Sequence, residues 1–290
     1  MIGSLPRARR AASQARAVAV VHPFPSILDG AAVAAIALVA GGSPTAAGLA
    51  AAAVAAAAMT SIQFGIGALN DVVGLERDRL AQPTKPIPSG LLSRRAAELI
   101  ALGAVTTGLG LSALLGLPAL LVAAAGVAAG LAYDLWLGRT PLGWLPYAAG
   151  LPLLVVFGWL AGSGTLPPAL PSLILLGFLA GLAIALANGL VDLEADASTR
   201  GRGPATWLGR WRALVVLAVV DGALAFAVWT VLAGGADGRA VTVAILGSAA
   251  VGAGWTGSTR GARRWRELGW EAQAVGIALL GTAWLSAVAG

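Results

Sequence analysis

Apolar runs of 17 to 25 residues recur along the whole chain, separated by short stretches rich in Arg, Asp, Pro and Gly. A helix rises about 1.5 Å per residue, so roughly 20 apolar residues cross a ~30 Å hydrocarbon core. The pattern therefore predicts nine membrane helices, over residues 24–41, 45–69, 96–115, 117–135, 143–163, 169–190, 212–233, 240–256 and 269–288. The expected fold class is an all-α integral membrane protein, built as a single domain over residues 1–290. A hydrophobic fraction of 58%, a charged fraction of 11% and a mean hydropathy of +0.84 exclude a soluble globular chain.

Lys and Arg accumulate in cytoplasmic loops, so their distribution tests the helix count independently. With nine crossings, 18 of the 19 basic residues fall on one side and only Arg239 on the other. The N-terminus is then expected to be cytoplasmic and the C-terminus extracytoplasmic. The basic N-terminal stretch lacks a small-residue cleavage site and reads as the approach to a retained first helix. A net charge of +6 follows from this topology and from contact with anionic lipid, so nucleic acid is not expected as a partner. The absence of cysteine excludes disulfides, thiolate metal sites and Cys nucleophiles.

Two segments 118 positions apart repeat one another: Asn70-Asp71-Val72-Val73-Gly74-Leu75-Glu76-Arg77-Asp78 and Asn188-Gly189-Leu190-Val191-Asp192-Leu193-Glu194-Ala195-Asp196. They hold six of the chain's 13 acidic residues, each group at the end of an apolar run and on the predicted cytoplasmic side. A basic, Pro-containing loop follows each copy, which suggests an internal duplication with motif copies at 70–78 and 188–196. Helical spacing puts Asn188, Asp192 and Asp196 on one stripe, and Asp71 and Asp78 on another. Facing carboxylate stripes repel unless cations lie between them. Mg²⁺ suits the carboxylate and Asn oxygens, because it also keeps positions for water and phosphate. Solvated helix ends are the plain alternative, and a cation transporter using the acids as an ion path is a further one. Lys85, the only lysine, together with Arg139, Arg200 and Arg202, adds positive charge that a pure cation path does not need and a diphosphate does.

These features resemble the UbiA superfamily of intramembrane prenyltransferases, which have nine membrane helices and two Asp-rich motifs. Asn70, Asp71 and Asp78 match the first motif, Asp192 and Asp196 the second, and Lys85-Pro86-Ile87-Pro88-Ser89-Gly90 resembles the family's basic Pro-x-Pro-Ser-Gly segment. The chain departs from the pattern at Gly74 and Gly189, where the family carries acids. It also has Tyr133 followed by Arg139 where the family has Tyr and then Lys. The resemblance implies Mg²⁺-assisted ionisation of a prenyl diphosphate, followed by attack of an aromatic or similar small acceptor. UbiA-type cyclisation of the prenyl chain is the alternative.

The implied catalytic residues are Asp71, Asp78, Asp192 and Asp196. The metal ligands add Asn70 and Asn188, with Glu76 and Glu194 as further candidates, and Tyr133 belongs to the substrate pocket. Gln63, seven residues and about 10 Å before Asn70, is expected in that pocket or in an interhelical hydrogen bond. His22 is expected at the membrane interface, away from catalysis. Asp221 inside the seventh helix reads either as a proton acceptor or as a hydrogen-bonded structural acid. Asp29 is ambiguous in the same way, and Asp134 either aids the site or simply ends the fourth helix. The expected location is the cell membrane, with the site on its cytoplasmic side.

Overall fold

A computed structural model describes residues 16–42, 45–167, 169–199 and 201–289. Among them, nine helices are long and apolar enough to cross a membrane. They are α1 (Pro23–Gly41), α2 (Ala46–Val73), α4 (Arg94–Leu114), α5 (Leu117–Ala132), α6 (Leu145–Ser163), α7 (Leu170–Val191), α10 (Arg210–Leu232), α11 (Gly238–Ser258) and α12 (Arg263–Ala289). Short helices α3 (Leu75–Ala81), α8 (Leu193–Ser198) and α9 (Pro204–Leu208) lie in the two basic loops. A π-helical turn, Tyr133–Leu137, extends α5.

The expected spans agree with these helices except at two ends, and both differences concern charge. Helix α2 runs on to Val73, so Asn70 and Asp71 lie inside it. Helix α12 starts at Arg263, six residues before the expected 269. Its first turn is charged, and hydropathy alone leaves it out; Arg263 and Arg266 find acidic partners that make helix there favourable.

Small residues set the packing. Within lipid there is little hydrophobic gain in bringing helices together, so close backbone approach and its dispersion contacts carry more of the association. The Ala-rich tract of α2 buries Ala52, Ala55 and Ala58. Where α11 meets α12, a Cβ added to Gly257 would lie 2.7 Å from the Cα of Gly269. Asp221 of α10 accepts a hydrogen bond from Gln273 of α12, the structural outcome for that intramembrane acid.

Helices α1, α2, α5, α6, α7, α10 and α12 enclose a cavity of about 800 Å³, while α4 and α11 pack outside it. Gly181 of α7 lies against the Tyr147 carbonyl of α6, leaving no room for a side chain. Gly181→Val is expected to force the two helices apart and lower stability by about 1–3 kcal/mol. Thermal unfolding in detergent measures this; an unchanged midpoint would contradict the close packing of α6 on α7.

Candidate active site

Both acidic segments fold the same way: a membrane helix, a break four residues after Asn, and a short helix. In the first copy the break is at Gly74, whose N–H still donates to the Asn70 carbonyl at 2.8 Å. In the second it is at Asp192, whose N–H donates to Asn188 at 3.3 Å. Beyond the breaks, the Asp78 N–H bonds Gly74 at 2.9 Å and the Asp196 N–H bonds Asp192 at 2.8 Å. Helical register thus carries through, and the expected stripes survive the interruption.

The first copy is saturated with positive charge. Asp71 and Asp78 are buried, with side chains 1% and 0% exposed. Lys85 donates to Asp71 Oδ1 and to Asp78 Oδ2, at 2.8 Å each. The sequence reading gave Lys85 to a diphosphate; here its ammonium bridges two carboxylates, as burial of paired charge requires. Asp71 Oδ1 also meets His22 Nε2 at 3.1 Å, and Asp78 Oδ1 accepts from Arg77 Nε at 3.1 Å. His22, expected at the interface, belongs to the site. It has a φ of 47°, the only positive value at a non-Gly residue among those described, in the turn that leads into α1 through Pro23.

The second copy takes its counter-charges from α12. Arg263 meets Asp192 Oδ1 at 3.3 Å, and the buried Arg266 pairs with Glu194. Asp196 is buried and accepts from Thr206 at 3.4 Å. Burial and then the Asp192 charge push its carboxyl above the usual range, against Arg77, the Thr206 hydrogen bond and Arg139. Arg77 links the two copies. Burial opposes its charge, but Asp78 and Asp192 more than offset this and hold the guanidinium above the ordinary arginine range.

Asn70 donates to Asp134 Oδ1 at 2.7 Å, and Asn188 to the Tyr147 hydroxyl at 3.4 Å. The π turn, a local register change often found at functional sites, carries Tyr133 and Asp134. Tyr133 stacks edge-on against Tyr147, with ring centroids 5.1 Å apart. Asp71 Oδ2 and Asp134 Oδ2 are both buried without a hydrogen-bond partner. Such orphaned hard oxygens suit a cation ligand. Among the described residues no three acidic or imidazole groups converge on one point. The oxygen donors are divided between the two helix ends, with Lys85 standing between Asp71 and Asp78.

Other expected site residues are placed differently. Glu76 is 82% exposed and pairs with Arg79, so it is not brought to the cluster. Glu194 is 66% exposed and is held by Arg266. Arg139 is exposed and lines the cavity, and its carbonyl accepts the Arg202 N–H at 3.1 Å, tying the α5–α6 connection to the loop after the second acidic segment. Arg202 itself is exposed and does not line the cavity. Arg200 lies outside the described residues. Gln63 makes the expected interhelical hydrogen bond, donating to Asp29 Oδ2 of α1 at 2.6 Å, and it also lines the cavity. Arg77, Arg263, His22 and Asp134 escaped assignment to the site. The position of Arg77 inside a motif copy was the one available signal; the others come from distant segments.

Both motif glycines have steric reasons. A Cβ at Gly74 would lie 2.9 Å from the Asn70 carbonyl and 3.4 Å from Arg77 and Asp78. At Gly189 it would lie 3.0 Å from the Ala205 Cβ of α9. The chamber opens downward into apolar walls that include Met59, Ile62, Leu154, Phe157 and Ile184.

A model of the UbiA prenyltransferase family matches residues 30–287. A digeranylgeranylglyceryl phosphate synthase from Methanopyrus kandleri is 35% identical over 137 residues, 46% of this chain and 49% of the relative. The chain spans about half the length of that curated relative. A UbiA homologue from Aeropyrum pernix K1 superposes with a TM-score of 0.70 at 22% identity, covering 89% of this chain and 96% of the other. Another from Archaeoglobus fulgidus, bound to GPP and Mg²⁺, gives 0.68 at 16% identity, covering 93% and 99%.

Removing Lys85 leaves two buried carboxylates supported only by His22 and Arg77. Lys85→Met is expected to cost about 3 kcal/mol of stability, and adding Asp71→Asn to recover part of it. A double-mutant cycle on thermal unfolding checks this; strictly additive losses would exclude the bridge.

Proposed function

The chain belongs to the UbiA prenyltransferase family, and we propose that it transfers a prenyl group from a prenyl diphosphate to a hydroxyl-bearing acceptor. One observation carries this reading: two acid-bearing helix breaks and the cations Lys85, Arg77 and Arg263 share a polar chamber that opens directly into a long apolar cavity. A diphosphate joined to an isoprenoid tail has that same polarity profile.

Asp71, Asp78, Asp192 and Asp196, with Asn70 and Asn188, are the residues that would hold Mg²⁺, and the orphaned oxygen of Asp71 supports this. When bound, Mg²⁺ supplies positive charge that stabilises the departing pyrophosphate. Arg77, Arg139 and Arg263 line the chamber and add fixed positive charge for the same anion. Lys85 lines the same cavity and would add a further cation beside the diphosphate. The apolar wall below excludes water from the allylic carbon and favours capture by the acceptor over hydrolysis.

For the acceptor, the digeranylgeranylglyceryl phosphate synthases among the relatives favour the hydroxyl of a glyceryl phosphate over the aromatic ring expected from sequence. The density of basic residues in the loops beside the chamber supports a site at the cytoplasmic face.

The test is incubation of purified protein with Mg²⁺, labelled geranylgeranyl diphosphate and either a monoprenylated glyceryl phosphate or an aromatic acid. Pyrophosphate release that depends on an acceptor is expected, and a cyclic hydrocarbon formed without one would replace transfer by cyclisation. Asp78→Asn and Asp192→Asn are each expected to lower turnover by about 10²-fold or more while the protein stays folded. Full turnover in either variant would remove that residue from the site.

A further inference from the structure

One carboxylate stands apart from both acidic motifs. Asp29 lies within α1, a helix apolar enough to cross the membrane, and lines the cavity. Its Oδ2 accepts the Gln63 amide at 2.6 Å, and among the described residues no cation or second donor meets its other oxygen. A carboxylate at this depth is expensive and is retained where it meets a ligand.

Two helices give its depth independently. Asp29 follows His22 by seven residues and Gln63 precedes Asp71 by eight, so the pair lies about 10–12 Å along the helix axes from the His22–Asp71 contact. That is the span chemistry needs. A carboxylate-bound metal, a phosphate ester, an attacking oxygen at near-attack distance and a base within hydrogen-bond reach together extend about 10 Å.

The other acids of the cavity wall are committed or placed higher. Glu267 pairs with Arg263 at 2.8 Å, and Asp134 accepts from Asn70 within the first motif. Glu271 follows Trp270, whose ring packs against Phe24 with centroids 5.8 Å apart. Phe24 precedes Asp29 by five residues on α1, which sets Glu271 nearer the polar end.

We infer that Asp29, oriented by Gln63, accepts the proton of the acceptor hydroxyl; this rests on the transferase reading above. In the step, an oxygen lone pair of the acceptor forms the new bond to the allylic carbon. The bond from that carbon to the diphosphate oxygen breaks, and its electron pair leaves with pyrophosphate. The hydroxyl proton passes to the Asp29 carboxylate and from there to water. The same group disfavours an acceptor that brings its own carboxylate to this depth, so it selects alcohols over aromatic acids.

Asp29→Asn preserves shape, because the Gln63 amide can rotate to present its carbonyl to the new amide. With the full chain, Mg²⁺, geranylgeranyl diphosphate and a monoprenylated glyceryl phosphate, Asp29→Asn is expected to lower kcat for transfer by about 10²-fold. Its KM for the diphosphate and its thermal midpoint are expected to stay near those of the wild type. Wild-type kcat in Asp29→Asn overturns the proposal. So does a loss of transfer that comes with a lowered thermal midpoint or a raised KM for the diphosphate, which marks a structural role. Transfer lost in Glu271→Gln but kept in Asp29→Asn assigns the proton to Glu271 and also overturns it. Wild-type protein that releases no pyrophosphate under any condition defeats the transferase reading itself, and this proposal with it.

Discussion

The structure turns on the burial of Asp71 and Asp78 at the polar end of a helical bundle. Two carboxylates removed from water beside each other cannot both stay ionised without a partner, and the Lys85 ammonium meets both at 2.8 Å. That demand shapes what surrounds it. The loop from Gln82 to Gly90 folds back on itself, with the Lys85 N–H donating to Gln82 and its carbonyl accepting from Ser89, so that the only lysine of the chain reaches inward. The turn before α1 adopts a left-handed residue at His22, whose imidazole reaches the same carboxylate. Arg77 closes the third side.

The two acidic segments are duplicates in geometry and not in charge management. The first is met by Lys85 and Arg77 from its own neighbourhood and by the His22 imidazole from the turn before α1. The second depends on Arg263 and Arg266 at the start of α12, more than 70 residues away. Arg77 lies in the field of both. Gly74 and Gly189, the two departures from family pattern, fall where a side chain would strike the Asn70 carbonyl or Ala205. A missing acid at each position thus reflects space already taken by the break in α2 and by α9. The two copies can lose different acids because they meet across one chamber.

Below that chamber polarity falls away quickly. Most of the cavity wall is aliphatic or aromatic, and the Asp29–Gln63 pair is the chief polar interruption in the helices facing it from α1 and α2. A graded site of this kind separates tasks by depth. In the proposed transfer, the fixed cations at the polar end act on the anion, and the carbon chemistry is shielded from water further in.

Much of this was legible in the sequence, because hydropathy and charge act locally along the chain. Nine apolar runs of membrane length and a one-sided distribution of Lys and Arg determined the helix count, and the paired segments at 70–78 and 188–196 marked where the candidate site was sought. Spacing by fours also foretold the stripes, since register persists through both breaks. Tertiary structure alone decided which charges meet. No pattern along the chain links His22 to Asp71, Arg263 to Asp192 or Gln63 to Asp29, because each contact joins helices brought together by Ala and Gly packing. Nor could spacing show that Glu76 faces outward while Asp78 is buried two residues on. Periodicity names the face of a helix; what that face touches is fixed by the packing of the whole bundle.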